Sequence, residues 1–180
     1  MNYISTQPPS IDEATVLRRL NACAYAPPAH RYLESVAYLL KHSLAENCEL
    51  TSAHAVIPLE TYAGPLPTDV KSSWVFLLRK NTAFEAERHP NSIQRMFALS
   101  GPGIMETWHD NRWQPHRLIT GAGEAGLSIP AFAWHRPATL ACDWAVVSFH
   151  TVTAEDLVEQ RGDPVRGVVH TARAYEGRDD

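Results

Sequence analysis

Residues 81–101 carry the densest run of side chains able to hold a metal or move a proton. They read NTAFEAERHPNSIQRMFALSG: one extended segment, a turn at Pro90-Asn91-Ser92, and a second extended segment ending at Gly101. Side chains alternate across a strand, so Ala83, Glu85, Glu87 and His89 share one face, and Gln94, Met96 and Ala98 share another. Glu87, His89 and Gln94 converge if the two strands curl toward each other. Carboxylate, imidazole and carboxamide are all capable metal ligands. A second stretch, LSIPAFAWH, ends in another imidazole at His135. Glu87, His89 and Gln94 offer one carboxylate, one imidazole and one amide; if a second imidazole joined them, the ligand set would have a formal charge of minus one. It suits a single divalent transition metal (Fe2+, Zn2+, Mn2+ or Ni2+) and leaves positions for water or substrate. Gln94 is the weakest donor of the four and has a second role open to it, a hydrogen bond to a metal-bound water. Glu87 and His135 are the candidate catalytic groups, since either can carry a proton.

The competing reading is a pocket that has lost its metal and takes an organic ligand. Both readings need the cluster to be satisfied, because unpaired polar groups inside a β structure are costly. Trp74, Phe76, Met96, Trp108, Trp113 and Trp134 are available as an apolar wall or simply as core. His116 and His150 lie on strands and read as hydrogen-bonded structural histidines. Arg79 and Arg95 read as solvated outer-face residues, with anion binding as the alternative. Tyr62 is a candidate lid phenol. There is no phosphate-cradling loop and no nucleophile elbow.

The elements that must position these groups are mostly strands. At 180 residues the chain is most simply one domain. A net charge of -4 and a pI near 6.1 give no reason to expect nucleic acid or a membrane surface as partner. No apolar run reaches the length of a membrane span, and the first residues lack the pattern of a secretory leader. Cys23, Cys48 and Cys142 are odd in number and widely spaced, which suits buried thiols in a reducing cytoplasm.

Residues 1–9 read as an extended arm. Ser10 and Glu13 form a capping box that starts a helix, which residues 21–28 stop. A second helix is expected over 29–45, with Leu33, Val36, Ala37, Leu40 and Leu44 at helical spacing. The pair reads as a cap over the β structure, or as a dimer contact. Strands are expected at 53–59, 74–79, 84–88, 94–100, 103–109, 113–118, 127–129, 139–142 and 144–150, with short turns between them. Residues 120–126, TGAGEAG, read as flexible, 155–159 as a helical turn, and 161–180 as a frayed polar tail.

The two stretches together resemble the two-motif signature of the cupin superfamily. In the first motif Asn81 stands for the leading Gly, Glu87 and His89 for the His-x-His pair, Gln94 for the Glu and Gly101 for the closing Gly. In the second, Pro130, Phe132 and His135 stand for Pro-x-Gly-x-x-His, with Thr139 where Asn is usual. The resemblance implies an all-β, double-stranded β-helix or jelly-roll barrel of the RmlC-like kind, preceded here by a pair of α-helices. It places an N-terminal arm and helical cap at 1–48, the barrel at 53–152 and a tail at 153–180. It implies one divalent metal at Glu87, His89, Gln94 and His135, acting on a small-molecule substrate in a dioxygenase, isomerase, decarboxylase or lyase. A non-catalytic sensor and a metal-free sugar epimerase, needing a His base and a Tyr acid, are the alternatives. A homodimer is implied in the same way.

Overall fold

The computed structural model describes residues 11–174, with side chains from residue 13 onward. Two helices, α1 (Ile11–Ala24) and α2 (Pro27–Glu46), precede eleven strands. These are β1 (Ser52–Val56), β2 (Ser72–Leu78), β3 (Ala86–Arg88), β4 (Gln94–Ser100), β5 (Gly103–His109) and β6 (Arg112–Leu118). They continue as β7 (Leu127–Ile129), β8 (His135–Thr139), β9 (Trp144–His150), β10 (Val158–Asp163) and β11 (Val168–Ala174). One sheet runs β1-β2-β9-β4-β7 and the other β11-β10-β3-β8-β5-β6, and every pairing is antiparallel. Strands β2–β9 divide between the sheets in the orders β2-β9-β4-β7 and β3-β8-β5-β6, switching sheet at each step except the β5–β6 hairpin. That is the interleaved double Greek key of a jelly roll.

Alternation along β4 sets the layers. Phe97 and Leu99 face outward and pack with Leu17, Leu20, Leu33 and Leu44 of the helices. Met96 and Ala98 face inward, where they meet Met105 of the opposing sheet and Trp144. The apolar faces of α1 and α2 thus cover the outer face of the first sheet, the capping role expected of them. Arg95, on the outward side, is 3% exposed and donates to Glu13 Oε1 at 2.7 Å and to Asp69 Oδ2 at 2.8 Å. It therefore ties α1 to the sheet, which corrects both readings made for it. Glu13 is engaged there, while Ser10 and the arm at 1–9 lie outside the described residues.

Residues 21–28 do not all break the helix. α1 runs on to Ala24, and α2 begins two residues earlier than expected, because Pro27 and Pro28 occupy the first turn, where a missing N–H loses nothing. The Asn21 side chain instead grips the TGAGEAG loop, accepting from Gly123 N at 2.7 Å and donating to the Glu124 carbonyl at 3.2 Å. Arg79 is likewise drawn inward: its guanidinium donates to the carbonyls of Leu44, Asn47 and Leu50, closing the C-terminus of α2. Of the three free thiols only Cys23 is buried; Cys48 and Cys142 are exposed. Among the described residues no helix is long and apolar enough to cross a membrane.

Three further expectations are overturned. Residues 155–159 are not a helical turn, and 161–174 are not frayed. They hold β10 and β11, and β10 pairs with β3 to extend the second sheet. The strand expected at 139–142 lies instead at His135–Thr139.

Candidate metal centre

The inner face of the second sheet presents Glu87 from β3, His89 directly after it and His135 from β8. Glu87 and His135 are direct register partners, so their side chains leave the sheet side by side. Glu87 Oε1 lies 3.5 Å from His135 Nε2. The His89 and His135 rings are 5.4 Å apart between centroids. One donor atom from each of Glu87, His89 and His135 falls within 4.8 Å of the others. Two ligands at about 2.1 Å from a tetrahedral ion stand about 3.4 Å apart, so a small contraction would complete such a site.

The hydrogen bonds behind the two imidazoles fix which nitrogen faces the centre. His135 Nδ1 lies 3.0 Å from the Ala133 carbonyl oxygen, and His89 Nδ1 lies 3.1 Å from that of Val158. A carbonyl only accepts, so each Nδ1 carries the proton and, in the neutral ring, each Nε2 keeps its lone pair. Backing an imidazole with a carbonyl in this way is how metal-ligating histidines are held. His135 is fully buried, and its Nε2 has no hydrogen-bond partner. A carboxylate oxygen facing a ring lone pair at 3.5 Å is stabilised by a shared cation, either a proton or a metal ion. The donor set therefore fits a divalent ion.

Gln94 comes from the opposite sheet. It is 5% exposed, its Oε1 has no hydrogen-bond partner, and it lines the same cavity of about 100 Å³ as Glu87. An amide oxygen in that condition fits a weak ligand or a group that holds a bound water. His150, paired with Gln94 in register, stands edge-on to His89 at 5.1 Å between centroids. Its nitrogens meet Ser148 Oγ at 3.2 Å and Ser92 Oγ at 3.4 Å, so it is a hydrogen-bonded member of the same interior cluster. His116 meets Thr107 Oγ1 at 2.8 Å, away from the centre.

Sequence reasoning missed what β10 contributes. Arg161 is the register partner of Glu87 and lines the cavity, while Glu159, two residues earlier, is 1% exposed on the same side. Glu159 Oε1 accepts from Arg161 Nε at 2.7 Å and lies 3.4 Å from Arg173 Nε. The one available signal was the β-branched run at Val168, Val169 and Thr171, which favours a strand. Phe76 and Met96 of the expected wall line the cavity; Trp74 packs with Ala154 and Leu157, and Trp108 with Trp113. Trp134 lies beneath the Arg88 guanidinium, 4.6 Å from its ring centroid. Tyr62 is buried on the helix side, hydrogen-bonded to Ser73 Oγ, so it is no lid. None of the described tyrosines lines the cavity.

Electrostatics follow from burial and crowding. Burial pushes the Glu87 carboxyl up, but in the metal-free protein a proton shared with His135, with His89 and Arg161 adding, outweighs it and holds it at about 2. Burial lowers His89 to about 4, with His135 adding to the effect and Glu87 opposing it. Burial, reinforced by His89 and His135, also holds His150 well below the usual imidazole range. A base whose pKa is lower folded than unfolded binds its proton more readily when unfolded. Its contribution to stability is intact above about pH 6.5 and declines as pH falls toward 4. The metal-free protein is therefore expected to lose on the order of 3 kcal/mol over that window from His89 alone. Glu87 adds nothing there, because its stabilising ionised form is lost only below 4.5. Urea midpoints of chelator-treated protein at pH 7, 6, 5 and 4.5 check this, and a flat profile would contradict it.

The backbone carries the motif as well. Asn81 and Phe132, which stand where the two cupin motifs have glycine, adopt φ of 54° and 66°, and Gly101 adopts 73°. These are left-handed conformations that glycine takes without penalty, and a Phe there is an outlier. Thr139, in the place of the second motif's Asn, donates to the Arg79 carbonyl at 2.9 Å and accepts from Thr82 N at 3.0 Å. It ties the end of β8 to the turn that opens the first motif. The fold is a double-stranded β-helix, or jelly-roll, barrel.

No family model matches the chain, and no curated protein matches it in sequence. Solved structures do. A structure of oxalate oxidase is 13% identical over 57% of this chain and 51% of its own, with a TM-score of 0.45. The DMSP lyase DddQ from Ruegeria pomeroyi DSS-3 is 19% identical over 66% of this chain and 50% of its own, with a TM-score of 0.43. The capsular polysaccharide assembling protein CapF from Staphylococcus aureus is 14% identical over 57% and 29%, with a TM-score of 0.44. The chain thus spans about half or less of each of these proteins. At such scores the likenesses add nothing to the strand order.

Proposed function

We propose that this chain is a small-molecule enzyme dependent on one divalent transition metal held by Glu87, His89 and His135, with Gln94 as a fourth, weaker donor. The observation that carries the reading is the pair of carbonyl-backed imidazoles whose Nε2 atoms face one carboxylate, with His135 Nε2 buried and unpartnered. When bound there, a divalent ion supplies Lewis acidity toward a substrate oxygen.

The chain's own residues do the rest. Ala133 and Val158 fix the tautomers, so the lone pairs already face the centre and only a small contraction of the donors is needed to accept a cation. Glu87, held ionised through neutral pH, supplies the negative charge and is the group able to take a proton from a substrate entering the cavity. Phe76 and Met96 give that cavity part of an apolar lining. The cavity's size limits the substrate to a small molecule. Homodimer formation belongs to the same reading and rests on the family resemblance alone, and a cytoplasmic location rests on the three free cysteines.

Elemental analysis of protein purified after supplementation with Fe2+, Zn2+, Mn2+ and Ni2+ in turn tests the reading. About one equivalent of at least one of them, removed by a chelator and restored on reloading, is the expected result. Substoichiometric metal under every condition would overturn it.

A further inference from the structure

The cavity beside the metal centre has one cation on its wall, and it comes from the strand that lies outside the eight-stranded jelly roll. Arg161 lines the cavity together with Glu85, Glu87 and Gln94. It is the register partner of Glu87, so the two side chains rise from adjacent strands on the same face. Its Nε is held by Glu159 Oε1 at 2.7 Å, which sets the plane of the guanidinium. Glu159 is itself 1% exposed and is shared with Arg173. The β10–β11 ladder shifts register directly after Arg161, a kind of irregularity that re-aims a side chain. Arg161 remains 40% exposed, and so can be reached from solvent.

We infer that Arg161 is the anion pole of this cavity, and that the substrate is a small monocarboxylate held by its guanidinium with the reacting end toward Glu87 and His135. A guanidinium is the side chain matched to a carboxylate in charge and in its planar fork of donors. Charge balance selects one negative group. The two carboxylates and one guanidinium on the wall sum to minus one, and a divalent ion brings the lined cavity to plus one. Volume sets the size: a buried cavity of about 150 Å³ holds benzene, so one of about 100 Å³ takes roughly four or five non-hydrogen atoms. Leu78 and Phe84, lining the same cavity, suit a short carbon chain behind the carboxylate.

The inference rests on the metal-site reading for where the reacting end lies, but not for the anion pole itself. Propionate and propanamide are the probes, equal in shape and differing in charge. Their binding is measured by calorimetry on metal-loaded protein and on chelator-treated protein, with metal content determined in each sample. Wild type is expected to prefer propionate by at least about tenfold. Arg161→Met is expected to abolish the preference, and Arg161→Lys, which keeps the charge and loses the fork, to retain part of it. If Arg161 only supports Glu159, Arg161→Met will lower the unfolding midpoint and leave the preference unchanged. That result, or no propionate binding by folded wild-type protein, overturns the inference. Absence of stoichiometric metal is a separate result: it overturns the metal reading, and the loss of preference in Arg161→Met is then read on the metal-free protein.

Discussion

His135→Ala protein is expected to hold its metal at least about 100-fold more weakly than wild type. His135 is the one donor of the proposed set with no exposure and with a ring nitrogen that finds no partner within the protein. Losses of about 10- to 100-fold follow when only the groups behind a ligand are changed, so removing the ligand itself exceeds that range. Glu87→Gln keeps the shape of the site and removes its negative charge, and a loss of similar order is expected. The two variants separate geometry from charge, because Gln at 87 still offers an oxygen. Competition against a chromophoric chelator, with circular dichroism to verify folding, measures both. Retention of wild-type affinity in folded His135→Ala protein would mean that the three donors act on nothing in common.

Gly101→Ala is expected to destabilise the fold by about 3 kcal/mol. Gly101 closes the first motif at a φ of 73°, where an L side chain costs about 1–2 kcal/mol. A Cβ there would also collide with the carbonyl oxygen of Asp143, a backbone atom unable to rotate away. Overpacking of that kind costs about 1–3 kcal/mol, and the smaller unfolded-state entropy of Ala returns less than one. The Asp143 side chain accepts from Lys80 N at 3.0 Å, so displacing its backbone disturbs the turn before the first motif as well. Urea unfolding monitored by tryptophan fluorescence reads the shift. A change under about 1 kcal/mol would contradict this account of the turn.

How much of this could be read in advance depends on what each segment buries. Strands β4, β5, β7 and β9 were legible to the residue, because one face or both meet a core and the pattern of Met96, Phe97, Ala98 and Leu99 has two layers to satisfy. The shared face of Glu87 and His89 was legible from strand alternation, whereas His135 joined them only through the family resemblance, because no local period links two strands about forty residues apart. β8 was misplaced because Pro137 argues against a strand. In the structure its ladder to β3 thins to the single pair Glu87 and His135, so a missing N–H there removes little. β10 and β11 were missed for a different reason. All seven residues of β11 are exposed, so no apolar alternation marks it. In β10 the buried position is a glutamate whose partners are arginines, a pattern that reads as a solvated tail. Arg79 and Arg95 were misjudged on the same ground, since their partners are carbonyls and carboxylates far away in sequence. The groups that went unseen are those stabilised by long-range polar pairing, for which sequence carries no period.

The most direct test of the central claim is anomalous scattering from crystals of metal-loaded protein, collected at the absorption edge of the bound ion. A single strong peak at ligand distance, about 2 Å, from Glu87, His89 Nε2 and His135 Nε2 is the predicted result. A peak elsewhere on the molecule, or none between those three side chains at full loading, would contradict it.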